Sequence, residues 1–152
     1  MEAIINICQE KISNIILFSL DFCRFMESEV ELHETLQELH IIATNPDLYQ
    51  LMVELGAVPS LLELLSHENT DIAVGVVDLL QELTDVDILH ESQEGADTLI
   101  DALLEQQVCA LLVQNLERLD ETVKEESDGV YNTLGKYLIN IVCFLFLQNY
   151  FY

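Results

Sequence analysis

Residues 56–65 read Gly-Ala-Val-Pro-Ser-Leu-Leu-Glu-Leu-Leu, and this stretch decides the fold of the chain. Glycine adopts the left-handed backbone conformation that a sharp turn needs. Proline is tolerated in the first turn of a helix, because the N–H that it lacks would have no partner there. The leucines that follow recur at helical spacing. The stretch therefore predicts that one helix ends at Gly56 and that a second, leucine-rich helix starts close to Pro59.

The sequence on both sides continues as amphipathic helices separated by polar turns. Helices are expected over about 29–44, 45–56, 57–65 and 71–84, with an acidic connector over 85–95. Two further apolar stripes follow over 99–104 and 108–116, and a last helix opens at Asp120 or Thr122 and runs toward Leu134. Capping boxes are predicted for Ser28 with Glu31 and for Thr122 with Glu125, because Glu three residues after a Ser or Thr cap pairs with the free helix-start N–H groups. The 5 glycines and 2 prolines of the 152 residues also favour an all-α fold over a sandwich or barrel.

The helices repeat along the chain. Leu-Gln-Glu-Leu occurs at 36–39 and again at 80–83, a spacing of 44 residues. Val58, Leu61 and Leu62 recur 50 residues later as Val108, Leu111 and Leu112. The first spacing lies in the range of about 40–47 residues of HEAT and armadillo units, and an inserted connector over 85–95 accounts for the second. This repetition favours a solenoid, in which each unit buries its apolar face against the next.

Two likenesses make that fold more specific. The turn at 56–59 followed by the longer helix over 71–84 resembles an armadillo repeat, in which a Gly-Ala-hydrophobic-Pro turn opens the second of three helices. The resemblance implies an armadillo/HEAT-like right-handed α-solenoid fragment of roughly two to three repeats. Each repeat would then contribute its third helix to an inner, concave groove.

Longer stretches resemble one particular branch of that fold. They are Asn45-Pro46-Asp47-Leu48-Tyr49, Asn69-Thr70-Asp71, residues 76–85, Leu89-His90-Glu91-Ser92, residues 111–121 and Val123-Lys124-Glu125-Glu126. Over residues 25–134 the chain is similar to the beta-catenin-like family of nuclear armadillo proteins. The resemblance implies a nuclear, non-catalytic protein that associates with the spliceosome and binds nuclear-localisation-type segments of splicing factors. Family members are several times longer, so this chain would hold only their first repeats.

The two flanks lie outside that likeness. Residues 1–24 are expected to form an atypical N-terminal helix, and residues 135–152 a hydrophobic C-terminal tail. The tail would cap the open end of the solenoid or aggregate. A membrane anchor is disfavoured, because the apolar run is shorter than the ~20 residues of a spanning helix. Gly135-Lys136-Tyr137 could be translated from a splice-donor-like sequence, so a truncated or mispredicted gene product without independent function is an alternative.

The charge distribution restricts the partners. The chain carries 28 acidic and 5 basic residues, a net charge of −23, and residues 25–134 hold 25 of the acidic residues against Arg118 and Lys124 alone. Direct nucleic-acid binding is not expected, because phosphate backbones need a Lys/Arg footprint. A field of this sign attracts Lys/Arg-rich protein segments. The alternative is that the charge only keeps an extended helical protein soluble.

The sequence gives little support for a catalytic or metal-binding site. The sequence has no G-x-S-x-G elbow, phosphate-binding glycine-rich loop or H-E-x-x-H motif, so neither an enzyme nor a cofactor is expected. The four cysteines form no C-x-x-C pair and are interpreted as reduced thiols. His33 and His40 lie seven residues apart on one helical face, where a solvated or partner-facing pair is favoured over a metal site. Arg118 is expected to form an intramolecular ion pair.

The candidate binding residues are two pairs of carboxylates. Import-receptor armadillo proteins present Trp and Asn four residues apart on the third helix, and this chain has no Trp. The matching positions hold Glu34 and Glu38 in one repeat and Asp78 and Glu82 in the next. Like charges at i and i+4 repel by a few tenths of a kcal/mol, roughly, and Lys or Arg side chains of a ligand would relieve that repulsion. We call these four residues the acidic ladder; a merely solvated polar face is the alternative.

The expected function is thus a nuclear protein–protein interaction scaffold whose partners have Lys/Arg-rich segments, splicing factors by resemblance. A generic acidic helical adaptor in the cytosol, with no link to splicing, is the second interpretation. The sequence leaves the oligomeric state open.

Overall fold

The computed structural model describes residues 6, 9–15 and 26–137, and every regular element in those residues is helical. The α-helices of 26–137 are α1 (Met26–Ala43), α2 (Tyr49–Glu54), α3 (Ala57–Glu63), α4 (Thr70–Leu83), α5 (Val86–Leu89), α6 (Gln93–Glu105), α7 (Val108–Leu116) and α8 (Lys124–Tyr131). The 3-10 turn Pro46–Leu48 precedes α2, and the 3-10 turn Leu64–Ser66 extends α3. The π-helical segment Asn132–Tyr137 extends α8. The predicted all-α class is confirmed.

Two three-helix units follow one another along the chain. The first is α2–α3–α4 and the second is α6–α7–α8, with the short α5 between them. In both units a residue with positive φ separates the first helix from the second: Gly56 at φ 74° and Gln107 at φ 54°. Glycine carries no steric penalty there, whereas a residue with a Cβ does. The turn predicted at Gly56 is confirmed, and Gln107 occupies the same turn of the second unit.

The helix α1 packs alongside α4 and runs in the same direction. Near the start of both helices, Asn69 Nδ2 donates to Glu29 Oε2 at 3.0 Å. Near the end of both, His40 Nδ1 lies 2.7 Å from Glu82 Oε2. Because the contacts advance together along the two helices, α1 holds the position of a third helix in the preceding unit.

The helix α8 packs on the other side of α4, again in parallel. Thr70 Oγ1 donates to Glu126 Oε1 at 2.9 Å, and Asn132 Nδ2 donates to Asp78 Oδ1 at 2.6 Å. Between these contacts a Cβ atom on Gly129 would lie 2.8 Å from Val74 Cγ2, so a glycine is needed for this close approach. The helices α1, α4 and α8 are therefore three successive, parallel third helices, as expected of armadillo-type stacking.

One continuous hydrophobic core joins the units. The repeated Leu36, Leu39, Leu80 and Leu83 are at most 2% exposed. Ile12 and Ile15, from the helical residues 9–15, are buried in the same core, so this segment covers part of the first unit. The leucine stripes that predicted helix-on-helix packing are confirmed.

The helix ends differ from prediction. The helix α1 begins at Met26, so Ser28 lies within its first turn and is not its cap. The helix α8 begins at Lys124, and Val123 is its N-cap residue without a side-chain bond. The carboxylate of Asp120 instead accepts from the N–H and hydroxyl of Thr122, at 2.9 and 2.7 Å. Short polar side chains at a turn can bond locally in several ways, so the pattern alone did not locate the helix start.

The acidic connector holds the additional helix α5, capped by Asp85, whose carboxylate accepts from the N–H of Asp87 at 2.9 Å.

Within the part of the chain that the structure describes, no single helix is long and apolar enough to cross a membrane. The segments Pro46–Glu54 and Ala57–Ser66 have the required length and apolar character only when they are taken together, and they are bent by 82° relative to each other. The expectations for residues 1–24 fall largely, and those for the tail from 138 onward wholly, outside the described residues.

Candidate functional site

The acidic ladder lies on two neighbouring parallel helices. Glu34 and Glu38 are on α1, and Asp78 and Glu82 are on α4. The side chain of Asp78 is half-buried and the other three are exposed. Stacking of the third helices thus places on adjacent helices carboxylates that lie more than 40 residues apart in the sequence.

Glu38 forms an ion pair with Lys11, which comes from the helical residues 9–15. The hydrogen bond to the Glu38 carboxylate raises the pKa of Lys11, and the charges of Glu38, Glu10 and Glu34 add to the effect against a smaller opposing effect of burial. The chain's own ammonium group therefore occupies one position of the ladder.

Glu82 contacts α1 through His40. The His40 Nδ1 atom lies 2.7 Å from Glu82 Oε2, which is an ion pair when the imidazole is protonated and a hydrogen bond when it is neutral. The other ring nitrogen, Nε2, is buried and has no hydrogen-bond partner. His33 is exposed, and no cluster of three or more metal-ligating side chains occurs among the described residues.

Asp78 contacts the π-helical segment that extends α8, where it accepts the 2.6 Å hydrogen bond from the Asn132 amide. The ladder carboxylates Glu38, Asp78 and Glu82 therefore each bond to a neighbouring helix, through Lys11, Asn132 and His40 respectively. These three bonds link four helical segments: residues 9–15, α1, α4 and the π-helical segment Asn132–Tyr137. Sequence reasoning missed these three partners, because a local pattern does not show which side chains meet across stacked repeats.

Arg118 contacts main-chain carbonyls in place of the predicted ion pair. Its guanidinium donates to the Leu65 carbonyl at 3.0 Å and also to the His67 carbonyl. These carbonyls lie at the end of the 3-10 turn that extends α3, where oxygens lack helical partners and carry a partial negative charge. Arg118 thus links the end of α7 to the end of α3.

Comparison with known proteins agrees with this architecture. The family model described as "Catenin-beta-like, Arm-motif containing nuclear" matches residues 16–144. The human protein named beta-catenin-like protein 1 is 69% identical over 112 residues, which is 74% of this chain and 20% of that protein.

Two further relatives give the same result. The mouse protein of the same name is 68% identical over 112 residues. The fission-yeast beta-catenin-like protein 1 homolog is 31% identical over 131 residues, which is 83% of this chain and 23% of that protein. The chain therefore spans about a fifth of the length of the curated relatives that it matches.

Proposed function

Because the chain belongs to the catenin-beta-like family of Arm-motif-containing nuclear proteins, we propose that it is a non-catalytic scaffold that binds Lys/Arg-rich segments of nuclear proteins. The proposed binding surface is the acidic ladder. The proposed partners are splicing factors, which the likeness of residues 25–134 to the family suggests. The proposed location is the nucleus.

One observation carries the proposal: the chain's own Lys11 pairs with Glu38 on the surface formed by the stacked third helices. This contact is an internal example of the recognition proposed for a ligand. The next ladder position, Glu82, also contacts a basic side chain, His40. On this surface, one carboxylate of α1 and one carboxylate of α4 each contact a basic side chain of the chain itself.

Several such contacts are needed to hold a partner. An exposed ion pair contributes only about 0.2–1 kcal/mol, so one Lys side chain is insufficient. A peptide with several basic residues that crosses α1 and α4 can engage the carboxylates of both helices. The net charge of −23 speeds its approach. We therefore expect an affinity that falls steeply as ionic strength rises.

The test is charge reversal with a matched control. Asp78→Lys/Glu82→Lys reverses two carboxylates at i and i+4 on α4. Asp101→Lys/Glu105→Lys makes the same change in net charge at i and i+4 on α6, where both residues are exposed. Binding of a fluorescent Lys/Arg-rich peptide to the full chain is measured by anisotropy at several salt concentrations, with circular dichroism to check folding.

The expected result is that the α4 reversal weakens binding by about tenfold or more at low salt and flattens the salt dependence, whereas the α6 reversal changes affinity by less than about threefold. Equal losses of affinity in the two variants would mean that the peptide responds only to the net charge of the chain. No loss in either variant would reject the ladder. A Lys11→Gln variant should bind the peptide more tightly, because it frees the carboxylate of Glu38.

The partner class has its own test. The folded chain, immobilised, is exposed to nuclear extract, with the α4 reversal variant as the control. Basic splicing factors retained by the native chain and lost from the variant are expected. Retention of basic proteins unrelated to splicing would favour a general acidic adaptor.

A further inference from the structure

Ile12 fills an apolar groove between α1 and the first three-helix unit. The groove is lined by side chains of α1, α2, α3 and α4 that are at most 2% exposed, among them Leu39, Ile42, Met52, Leu61, Leu79 and Leu83. No space for a water molecule remains between these side chains and Ile12. We call this the Ile12 groove. An aliphatic side chain from outside α1–α4 therefore completes the core here.

The segment that supplies Ile12 is amphipathic. Residues 9–15 are helical, and Ile12 and Ile15, three residues apart and so on one helix face, are at most 1% exposed. The other five residues of the segment are exposed or half-buried. Lys11, directly before the first isoleucine, forms the ion pair with Glu38 on α1. Aliphatic anchors at i and i+3 with a polar contact at the edge are the pattern by which a helix binds in a groove of a partner.

The groove and its occupant relate differently to the family. The family model matches residues 16–144, which include Glu38 and all the groove residues of α1–α4. Residues 9–15 lie outside that match. The groove thus belongs to the architecture that the chain shares with the family, and the segment that fills it does not.

The charges around Lys11 indicate how a better occupant would differ. The hydrogen bond from Glu38 raises the pKa of Lys11, and the negative charges of Glu38, Glu10 and Glu34 add to this effect. Glu10 therefore brings a further carboxylate to a surface that already carries two. A helix with a neutral residue in place of Glu10 would keep the attraction between lysine and Glu38 and avoid repulsion from the carboxylates of α1.

We propose that the Ile12 groove and Glu38 form a docking site for a basic amphipathic helix of a partner protein, and that residues 9–15 are its displaceable occupant. The partner helix presents two aliphatic side chains three residues apart, with a lysine directly before the first and no acidic residue beside that lysine. This site goes beyond the binding of Lys/Arg-rich segments to the acidic ladder. Its affinity comes from apolar anchors in the groove, and it shares only Glu38 with the ladder.

The probe is a peptide with the sequence of residues 9–15 and the change Glu10→Gln, held helical by a covalent link between positions 9 and 13. Both linked positions are exposed and one turn apart, so the link does not face the groove. Fixing the helix in advance removes the cost of ordering it on binding. The probe is titrated into the full chain with isotope-labelled methionine methyl groups, and the NMR signal of Met52, which lines the groove, reports binding.

Two variants of the chain test whether residues 9–15 compete with the probe. Ile12→Asp/Ile15→Asp withdraws the occupant, whereas Gln9→Asp/Ser13→Asp makes the same change in charge at exposed positions of the same helix. An occupied site binds an outside ligand more weakly by the fraction of time for which it is free. The probe is therefore expected to bind the first variant about tenfold or more tightly than the native chain, and the second within about threefold of it.

Variants of the probe test its contacts. Ile12→Ala in the probe should weaken its binding to the freed groove roughly tenfold, and Lys11→Gln should weaken it about two- to fivefold, as expected for an exposed ion pair. The chain variant Asp78→Lys/Glu82→Lys should bind the probe within about threefold of the native chain, because neither residue lines the groove. Failure of this site and failure of the acidic ladder are therefore separate results.

Three outcomes would overturn the proposal. The first is the absence of a saturable Met52 shift in the folded Ile12→Asp/Ile15→Asp variant, and the second is equally tight binding of the probe to that variant and to the native chain. If circular dichroism shows that the variant does not fold, Ile12→Ala, which only shortens one anchor, replaces it and should bind the probe about threefold more tightly than the native chain. The third is unfolding of both variants, which would make residues 9–15 an integral part of the fold.

Discussion

Replacing Asn115 with leucine should make the free protein more stable. The native side chain is 2% exposed and leaves both its Nδ2 and Oδ1 atoms unpaired. Burial of an unpaired polar group costs about 1–3 kcal/mol by mutational data. Leucine removes that cost and is a better helix former by a few tenths of a kcal/mol, roughly. The adjacent cavity of about 360 Å³ between α3 and α7 gives its branched end room without overpacking.

The expected gain in the free energy of unfolding is therefore about 2 kcal/mol. For a domain of this length that corresponds to a rise in Tm of about 4–8 °C. Thermal unfolding followed by circular dichroism, with urea unfolding at 25 °C as a second assay, measures it. The control is Gln114→Leu, which changes an exposed neighbour and should stay within about 0.5 kcal/mol of the parent. A lower Tm for Asn115→Leu would contradict this prediction, because it would mean that the amide is hydrogen-bonded in solution.

Two further changes test the packing and the buried core. Gly95→Ala should destabilise the fold by about 1–2 kcal/mol in urea unfolding, because its Cβ would lie 2.5 Å from the Pro46 carbonyl oxygen. Gly75→Ala, where the nearest contact is an ordinary 3.7 Å, should be neutral or stabilising, and equal effects would contradict the packing. Burial, with smaller contributions from nearby carboxylates, raises the pKa of Tyr49, whose hydroxyl donates to the Ala43 carbonyl. Its contribution to the free energy of unfolding is therefore complete below the unfolded pKa of about 10 and is lost as pH rises above it. The loss of stability at alkaline pH, measured by urea unfolding, should be smaller in Tyr49→Phe than in the parent. Identical pH profiles for the two proteins would exclude a contribution of the Tyr49 hydroxyl.

The helices and their buried faces could be predicted because each depends on local patterns. The leucine stripe around Leu36 and Leu80 follows from a period of 3.6 residues, and the turn at Gly56 follows from the one residue type that accepts its backbone angle without strain. The equivalent turn at Gln107 carries no such signal, because a glutamine gives no indication of a positive φ. Repeat geometry, rather than the residue itself, places Gln107 there.

The candidate site could be predicted only in part. The positions of the ladder on α1 and α4 followed from the repeat, since equivalent residues of stacked helices share a face. Its partners did not follow, because Lys11 and Asn132 come from segments whose contact with the ladder depends on tertiary packing alone. The unpaired amide of Asn115 was also missed, because a lone asparagine on a helix gives no indication of whether its amide will find a partner. That property belongs to the packed structure.

The most direct test of the central claim uses a Lys/Arg-rich peptide with a nitroxide spin label and the isotope-labelled full chain. Paramagnetic broadening of backbone amides then reports which surface the peptide occupies. Strong broadening is expected around Glu34–Glu38 on α1 and Asp78–Glu82 on α4, with little effect around Asp101–Glu105 on α6. Uniform broadening across all acidic surfaces, or broadening greatest on α6, would contradict the claim that the stacked third helices form the binding surface.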